Sequence, residues 1–367
     1  MRIGIVGGGI AGLTSALALA KKGVESVVFE RAPALEEVGA GIQLSPNAVR
    51  ALFSLGLSSA LNAIASAPRS VKVHDGLTSK LIATMPLGMT AEKRYGAPYY
   101  VIHRADLQRL LANACEHEPK ITIQLAADVD TVRNGRDGAF VGDERFDLVI
   151  GADGVHSSIR RKLFEVVAEP SGLTAWRSTL AMDRRPAAFP TAETKLCIAP
   201  DSHLVTYPIA AGRELNAVAI LPDKLKPIDG FADWAPELRE ILQMSDWMAW
   251  PLLAVPRMES WLNGRIGLIG DAAHAMLPFA AQGGASAIED AVTIAEYIAA
   301  GRDLKLWEMR RKPRVDKIAA TARNNRTIYH LAGVAAVARN MVMKRVGPER
   351  LLARQDWIFG YDTASAG

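Results

Sequence analysis

Residues 2–30 read RIGIVGGGIAGLTSALALAKKGVESVVFE, and this stretch decides the fold. An apolar run suited to a buried strand leads into a glycine turn, an Ala- and Leu-rich helix that ends near Gly23, and a second strand that ends at Glu30. This order of elements forms a compact βαβ unit. The sequence therefore predicts α/β structure from the first residues onward.

The glycine loop satisfies the pattern GxGxxG through Gly7, Gly9 and Gly12, with Ala11 between the last two. Glycine allows the tight turn and the close backbone approach that a pyrophosphate requires, and the free N–H groups of the helix N-terminus favour an anion. Glu30 can accept hydrogen bonds from ribose hydroxyls. An ordinary tight turn would not need all these parts together, so we expect a dinucleotide here. This unit alone does not distinguish NAD from FAD.

The bulk composition is that of a globular protein. The 367 residues are 49% hydrophobic and 22% charged, and the length favours two closely associated domains. The 43 Lys and Arg residues against 39 Asp and Glu give a net charge of +4, which suits anionic cofactors or substrates but is too small to indicate nucleic acid.

The two cysteines, Cys115 and Cys197, lie far apart and outside any CxxC or zinc-type spacing. They indicate neither a disulfide framework nor a metal site, and they fit a reducing cytoplasm. The chain enters its first strand at the second residue without a cleavable leader, and no apolar run reaches the roughly 18 residues that a membrane span needs. We expect a cytoplasmic protein with no membrane span.

Further along the chain, two kinds of pattern alternate. Buried strands followed by turns return at DLVIGADG (147–154) and RIGLIGDAAH (265–274), whereas residues 172–222 alternate like an antiparallel sheet. We predict a Rossmann-like nucleotide-binding domain that is discontinuous, a second domain with a mainly antiparallel β-sheet for the substrate, and C-terminal helices. The predicted ranges are 1–70, 98–170 and 260–305 for the first domain, 71–97 and 171–259 for the second, and 306–367 for the helical region.

Several motifs give the chain a family resemblance. DLVIGADGVHSSIRR (147–161), GRIGLIGDAAHAMLPFAAQGGASAIEDA (264–291) and HRADLQRLL (103–111) resemble the fingerprints of the single-component FAD-dependent aromatic hydroxylases, a flavoprotein monooxygenase family. TAWRS (174–178), HLVTYP (203–208) and DWIFGYD (356–362) look closest to the salicylate hydroxylase-like branch. With the glycine loop, the resemblance covers nearly the whole chain and implies that the dinucleotide is FAD.

By this resemblance, three residues approach the adenosine and pyrophosphate end of FAD. Arg104 reaches the pyrophosphate, which suits a fixed cationic fork, although a salt bridge at a helix end is the alternative. Val129 meets the adenine through its backbone. Arg31 directly follows the ribose-binding acid.

Asp153 and Gly154 resemble the motif of this family that contacts FAD indirectly and helps to receive the nicotinamide cofactor. Arg160 and Arg161 follow them in the chain. These arginines would either favour a phosphate or lie on a solvated helix face.

The last motif is implied to hold the flavin itself. Asp271 would accept hydrogen bonds from ribityl hydroxyls, with a helix cap as its alternative, and the N–H groups of Gly283 and Gly284 would approach the pyrimidine oxygen. Pro278 resembles a proline beside the isoalloxazine ring and the substrate pocket. Ala281 stands where many relatives have glycine, which limits the local backbone freedom.

The substrate residues are expected on the second sheet. Strand alternation puts His203, Val205 and Tyr207 on one face, where a neutral histidine could deprotonate a phenol and a tyrosine could orient a ring substituent. The alternative is a histidine at a sheet edge and a tyrosine with its hydroxyl in solvent. Gln43 lies in a turn that resembles one facing the flavin; it would position substrate or flavin, because glutamine is not a base near neutral pH.

The resemblance implies a reaction in which NADH or NADPH reduces FAD, oxygen forms a flavin C4a-hydroperoxide, and one oxygen atom enters an aromatic ring. The expected partners are O2, NAD(P)H and a small phenolic or heteroaromatic substrate with a carboxylate; no nucleic acid is expected, and the protein would be a monomer or a homodimer. A dehydrogenase or reductase on the same FAD domain and a noncatalytic flavin-binding module are the alternatives.

Overall fold

The computed structural model describes residues 1–35, 41–244 and 246–364. The strands in these ranges are β1 (Arg2–Val6), β2 (Glu25–Phe29), β3 (Gly41–Leu44), β4 (Ser70–Asp75), β5 (Leu81–Pro86), β6 (Tyr100–His103), β7 (Ile121–Gln124), β8 (Val132–Asn134), β9 (Ala139–Val141), β10 (Glu144–Phe146), β11 (Leu148–Gly151), β12 (Glu169–Ala181), β13 (Thr194–Ala199), β14 (Ser202–Ile209), β15 (Glu214–Pro222), β16 (Met248–Ala254), β17 (Leu262–Asn263) and β18 (Ile266–Leu268).

The helices of the same ranges connect and cover these strands. They are α1 (Ile10–Lys21), α2 (Pro46–Ser54), α3 (Ser58–Ile64), α4 (Gly88–Tyr95), α5 (Arg104–Glu116), α6 (Ser158–Leu163), α7 (Pro227–Gly230), α8 (Pro236–Met244), α9 (Asp271–His274), α10 (Gly283–Ala299), α11 (Leu304–Tyr329), α12 (Gly333–Val346), α13 (Pro348–Ala353) and α14 (Asp356–Phe359). Short 3₁₀ turns lie at Met182–Arg184, Ala210–Gly212 and Pro278–Ala280.

The first sheet has the strand order β17-β18-β11-β1-β2-β7 and is parallel except for the β17–β18 pair. Apolar side chains of β1 and β2, among them Ile3, Ile5 and Val28, are fully buried, which explains why this stretch forms central strands. Helices α1, α5 and α10 pack around this core. The predicted βαβ unit and the discontinuous Rossmann-like architecture are confirmed.

The second sheet has the order β16-β12-β15-β14-β13-β4-β5 and is antiparallel except for the β13–β4 pair. Its outer face packs Cys197 and Leu204 against Trp234 and the helix α8. Its inner face turns Val205 and Tyr207 toward the C-terminal helices and β6. The mainly antiparallel second sheet is confirmed, and β4 and β5 join it although they precede it in sequence by about a hundred residues; the domain limits themselves stay a prediction.

A buried ionic cluster fastens the C-terminal helix α11 to α10. The Arg311 guanidinium donates to Glu289 Oε2 at 2.6 Å and to Asp290 Oδ1 at 2.8 Å, and the three side chains are fully buried. Arg314 donates to Glu289 Oε1 at 2.8 Å, and His274 lies 2.5 Å from Asp290 Oδ2. The helix whose N-terminus borders the predicted flavin site is therefore held in place by charges from the C-terminal region.

Within the described ranges, none of the helices has the length and apolar character that crossing a membrane requires.

Candidate functional site

A cavity of about 550 Å³ opens at the carboxyl ends of β1, β2 and β11, where the chain crosses to opposite sides of the first sheet. Twelve residues predicted to bind the cofactor line this one cavity. They are Gly7, Gly9, Ala11, Glu30, Arg31, Arg104, Val129, Asp153, Gly154, Asp271, Gly283 and Gly284. Tertiary structure thus assembles distant segments of the sequence around one volume.

The glycine loop is shaped by steric requirements that only glycine meets. Gly7 has φ of +111°, and a Cβ there would lie 2.4 Å from the Ala152 carbonyl oxygen. A Cβ on Gly12 would lie 1.9 Å from the Gly7 carbonyl oxygen. Gly12 does not line the cavity; it lets α1 start directly against the loop, so that its N-terminus faces the cavity.

The Glu30 carboxylate is fixed by the backbone around it. Its Oε2 accepts from the N–H of Gly8 at 2.7 Å, and its Oε1 accepts from the N–H of Ala32 at 2.9 Å. An ionised carboxylate has about four acceptor positions, so two remain for ribose hydroxyls.

Asp153 combines a structural contact with an open acceptor. Its Oδ2 accepts from the N–H of Ser158 at 2.8 Å and so caps α6. Its Oδ1 is buried and has no hydrogen-bond partner among the described residues. A ligand hydroxyl in the cavity that Asp153 lines would satisfy this atom.

Both expectations for Arg160 are wrong. Its side chain is only 2% exposed and donates to the carbonyl oxygens of Ala272 at 2.9 Å and Val155 at 2.6 Å. Arg160 therefore holds α6 against the turn after β18 instead of binding phosphate or meeting solvent. Its neighbour Arg161 does line the cavity.

Sequence reasoning missed Gln108. Its Nε2 donates to the Gly8 carbonyl oxygen at 3.0 Å, its Oε1 is buried without a hydrogen-bond partner in the described part of the chain, and it lines the cavity. The signal was present, because Gln108 follows Arg104 by four residues and so lies on the same helix face.

These features fit FAD. The cavity offers a glycine-lined loop and the N-termini of α1 and α10, which suit the pyrophosphate and the flavin, and buried acceptors, which suit sugar and ribityl hydroxyls. By contrast, no three His, Cys, Asp or Glu side chains of the described ranges are grouped so as to hold a metal ion.

Gln43 and Pro278 are not among the residues that line this cavity. On β3, Ile42 borders the cavity and Gly284, whereas Gln43 accepts from the hydroxyl of Tyr99 at 2.7 Å. Pro278 is exposed at the start of a 3₁₀ turn. Their predicted contacts with flavin or substrate remain predictions.

Strand β3 separates the cofactor cavity from the second sheet. The N–H of Gly41 donates to Asn216 Oδ1 at 2.8 Å, and a Cβ on Gly41 would meet the Tyr207 ring at 2.4 Å. The inner face of the second sheet therefore lies directly across β3 from the predicted flavin position.

His203 and Tyr207 share that inner face, as the alternation of β14 predicts. They are paired with Ile220 and Asn216 of β15 and are only 2% and 3% exposed, so the alternative of a sheet edge and a solvated tyrosine is wrong. The His203 ring centroid lies 4.8 Å from that of Phe279, next to Pro278. The second sheet and the flavin-binding motif meet at this contact.

The electrostatics keep His203 neutral. Burial lowers the pKa of its imidazole well below the ordinary value, and the neighbouring His330 adds to this effect. The Nδ1 atom of His203 lies 3.0 Å from Nε2 of His330. His203 is therefore uncharged at neutral pH.

Arg177 is a cation on the same face that sequence reasoning did not assign. The strand register pairs Arg177 with Val218 and Val218 with Val205, so the three residues form a row across the sheet. Tyr207 lies in the adjacent row on the same face, two residues after Val205 on β14. Burial raises the pKa of the Tyr207 phenol, and the nearby charge of Arg177 partly offsets this rise. The motif TAWRS contained this residue, but only the strand register shows where it lies.

The departure from glycine at position 281 has a structural consequence. Ala281 adopts φ of 51° and ψ of 37°, the left-handed conformation, immediately before Gln282 and α10. A residue with a Cβ loses about 1–2 kcal/mol in this conformation. The turn that leads to Gly283 and Gly284 is therefore strained in this chain.

The fold and the cavity define a Rossmann-like flavoprotein, and comparison with known proteins gives the same result. The family model described as "FAD binding domain" matches residues 1–219 and 231–305. A 3-amino-4-hydroxybenzoate 2-monooxygenase of Streptomyces cremeus is 35% identical over 379 residues, which cover 98% of this chain and 95% of that protein. A 3-hydroxybenzoate 6-hydroxylase of Aquipseudomonas alcaligenes is 33% identical over 393 residues, covering 98% and 97%.

A solved structure gives the same fold. Klebsiella pneumoniae HpxO, complexed with FAD and uric acid, superimposes with a TM-score of 0.86 at 24% identity and covers 96% of this chain and 95% of that one. The chain belongs to the single-component FAD-dependent aromatic hydroxylases. The predictions of FAD as cofactor and of an aromatic monooxygenase are confirmed, and the dehydrogenase and flavin-module alternatives lose their support.

Proposed function

We propose that this monooxygenase hydroxylates an aromatic acid that carries both a ring hydroxyl and a carboxylate. Ring, NAD(P)H, H⁺ and O2 would give the hydroxylated ring, NAD(P)⁺ and water. FAD, when bound, supplies the electron transfer from NAD(P)H and the activation of oxygen. Relatives named for hydroxybenzoates support the substrate class. The residues of the inner sheet face would bind the substrate and accept its phenolic proton.

The observation that carries this proposal is the position of the Arg177 charge on the same sheet face as His203 and Tyr207. The row of Arg177 contains Val218 and Val205, and its guanidinium lies 5.7 Å from the centre of the Trp250 ring. A guanidinium at this position can bind a carboxylate through two parallel hydrogen bonds. Arg177 would bind the substrate carboxylate through its planar fork, with the hydroxyl of Tyr207 beside it.

His203 would act on the ring hydroxyl. A neutral imidazole can accept a proton from a phenol, and the resulting phenolate is the electron-rich form that oxygen transfer requires. Because Nδ1 faces His330, the accepting atom is Nε2. Gln43, held by Tyr99, would hold the opposite edge of the ring.

The aromatic side chains that cover this sheet face would keep water away from the reaction. Phe279 and Tyr329 pack together with ring centroids 6.2 Å apart and cover the row of Ala175 and Ile220. Apolar walls strengthen the hydrogen bonds to the substrate and limit unproductive oxygen reduction. The predicted flavin-binding residues that line the cavity would place the reacting atoms beside this sheet face.

The proposal is tested by a substrate panel with the FAD-loaded enzyme. We expect 3-hydroxybenzoate, salicylate, 3-amino-4-hydroxybenzoate or 6-hydroxynicotinate to stimulate the oxidation of NADH or NADPH, with oxygen consumption matched to a product one oxygen atom heavier. Phenols without a carboxylate and benzoates without a hydroxyl are the controls. If these control compounds stimulate NAD(P)H oxidation and are hydroxylated as efficiently as the acids, or if no acid is hydroxylated, the proposed substrate class is wrong.

Arg177→Gln should weaken the binding of acids selectively. Loss of a charge-assisted hydrogen bond costs about 1.5–3 kcal/mol, so KM for the preferred acid should rise about 10- to 100-fold. The KM for the corresponding phenol without a carboxylate should stay within about twofold, as steady-state oxygen uptake would show. The matched control is Arg184→Gln, which changes an exposed arginine of the same domain. An equal loss for acid and phenol would remove Arg177 from carboxylate binding.

The location and assembly of the enzyme are also proposals. Cys115 and Cys197 are both buried free thiols, which fits the reducing cytoplasm where NAD(P)H is available. We retain the expectation of a monomer or a homodimer; sedimentation of the FAD-loaded enzyme would distinguish the two.

A further inference from the structure

A second histidine, His330 at the C-terminal end of α11, lies directly behind His203. Its Nε2 is 3.0 Å from His203 Nδ1, and the two ring centroids are 5.2 Å apart. His330 comes 127 residues after His203 in the chain, so the contact exists only because α11 packs on the second sheet. Tyr329 and Phe279 enclose the His203 side of the pair.

The other side of His330 reaches solvent. His330 is partly exposed and lines a cavity of about 400 Å³ with Asp201, Arg326 and the exposed Thr327, among others. This cavity is separate from the one assigned to FAD, and none of the described residues lines both. The histidine pair therefore connects the buried inner face of the second sheet with a solvent-accessible cavity.

We propose that His330 relays the phenolic proton of the substrate from His203 to water in this cavity. The inference rests on the proposed function, because it needs a substrate with a ring hydroxyl at His203. His330 would not touch the substrate and acts through His203.

The transfer conserves atoms and charge. The substrate oxygen gives its proton to Nε2 of His203, Nδ1 of His203 passes its own proton to Nε2 of His330, and Nδ1 of His330 releases a proton to water. One proton enters the pair and one leaves, so neither imidazole stays charged and both change tautomer. Reprotonation of the product oxygen runs the same steps backward and restores the starting tautomers.

The surroundings favour a neutral relay over a charged base. Burial lowers the pKa of His330 to about 4; Asp201 opposes this shift, while Arg326 and Arg339 add to it. These groups come from the turn before β14, from α11 and from α12, and Tyr329 packs beside the pair. Burial disfavours a positively charged His203, and this favours transfer of the proton from His203 toward His330 and the solvent.

The test compares His330→Ala with the wild-type enzyme, using 3-hydroxybenzoate or whichever other acid of the panel reacts fastest. Stopped-flow mixing would follow the phenolate absorbance of the bound acid and the released proton with a pH indicator. We expect His330→Ala to keep its FAD content and its Kd for the acid, and to slow both signals and hydroxylation at least tenfold. Added imidazole, which fits the vacated position beside the open cavity, should restore most of the rate.

His117→Ala is the control, because His117 is an exposed histidine at the end of α5. It should keep the wild-type rates and gain nothing from imidazole. Wild-type proton release in His330→Ala, or a loss that imidazole does not restore in a folded FAD-loaded variant, would overturn the relay. If the wild-type enzyme hydroxylates none of the acids, the proposed function itself fails, which is a different result.

Discussion

Replacing Gly12 with alanine should weaken FAD binding by at least about 100-fold. In an unobstructed helix interior this change gains up to about 1 kcal/mol, because alanine is the better helix former. Here the new Cβ would lie 1.9 Å from the Gly7 carbonyl oxygen, a backbone atom that cannot turn away. Either α1 or the glycine loop must shift, and both border the cofactor cavity.

The expected loss of FAD binding free energy is about 3 kcal/mol or more, which corresponds to at least about a 100-fold rise in the Kd for FAD. Titration of the apoprotein with FAD, followed by flavin fluorescence, measures it. Gly267→Ala is the matched control, since its Cβ would meet only the ends of two side chains, Leu262 at 3.2 Å and Ile294 at 3.9 Å. That variant should keep its flavin. A Gly12→Ala protein that binds FAD as tightly as the wild type would contradict the packing described for α1.

Replacing Arg311 with leucine should lower the free energy of unfolding by about 3–5 kcal/mol. Burial alone would raise the pKa of Glu289, but the charges of Arg311 and Arg314 outweigh it and lower that pKa. Burial likewise opposes ionisation of Asp290, and His274 and Arg311 together lower its pKa. Without Arg311, two fully buried carboxylates lose a cationic partner.

The pH dependence gives a second readout. In the wild type, the depressed pKa values mean that the carboxylates stabilise the fold above their unfolded values of about 4 and that this stabilisation is lost as the pH falls further. In Arg311→Leu the carboxylates favour the protonated form. The difference in the free energy of unfolding between this variant and the wild type should therefore shrink as the pH falls toward 4. Urea unfolding of the apoprotein at several pH values measures both effects.

The control for Arg311→Leu is Arg257→Leu. Arg257 pairs with Asp316 at 2.9 Å, but its side chain is 77% exposed, so its loss should cost at most about 1 kcal/mol. Equal effects of the two substitutions would show that the buried cluster does not fasten α10 to α11.

The sequence was sufficient for the first domain because its signals are local. A glycine pattern between a strand and a helix, with Glu30 at the end of the next strand, requires only a few neighbouring residues to be interpreted. Arg160 shows the limit: its helix was evident, but its burial depends on the turn at Ala272, more than a hundred residues later. Gln108 was missed although its spacing from Arg104 was visible.

The substrate side depended on the tertiary structure. Alternation alone placed His203 and Tyr207 on one face, because a strand has a period of two. It could not place Arg177 beside them, since that depends on the register of β12 with β15 and of β15 with β14. Nor could it place His330 against His203, because the packing of α11 on the second sheet brings them together.

By itself, the sequence determined the βαβ unit, the cofactor class and the face of β14 that carries His203, since local periodicity and short motifs specify these features. The tertiary structure decided that distant segments share one cavity, that Arg160 is structural, that Arg177 lies on the same sheet face as His203, and that His330 at the end of α11 packs against His203. Pairing between distant strands and helices creates those contacts, and a pattern within one segment carries no information on the partner that a distant segment supplies.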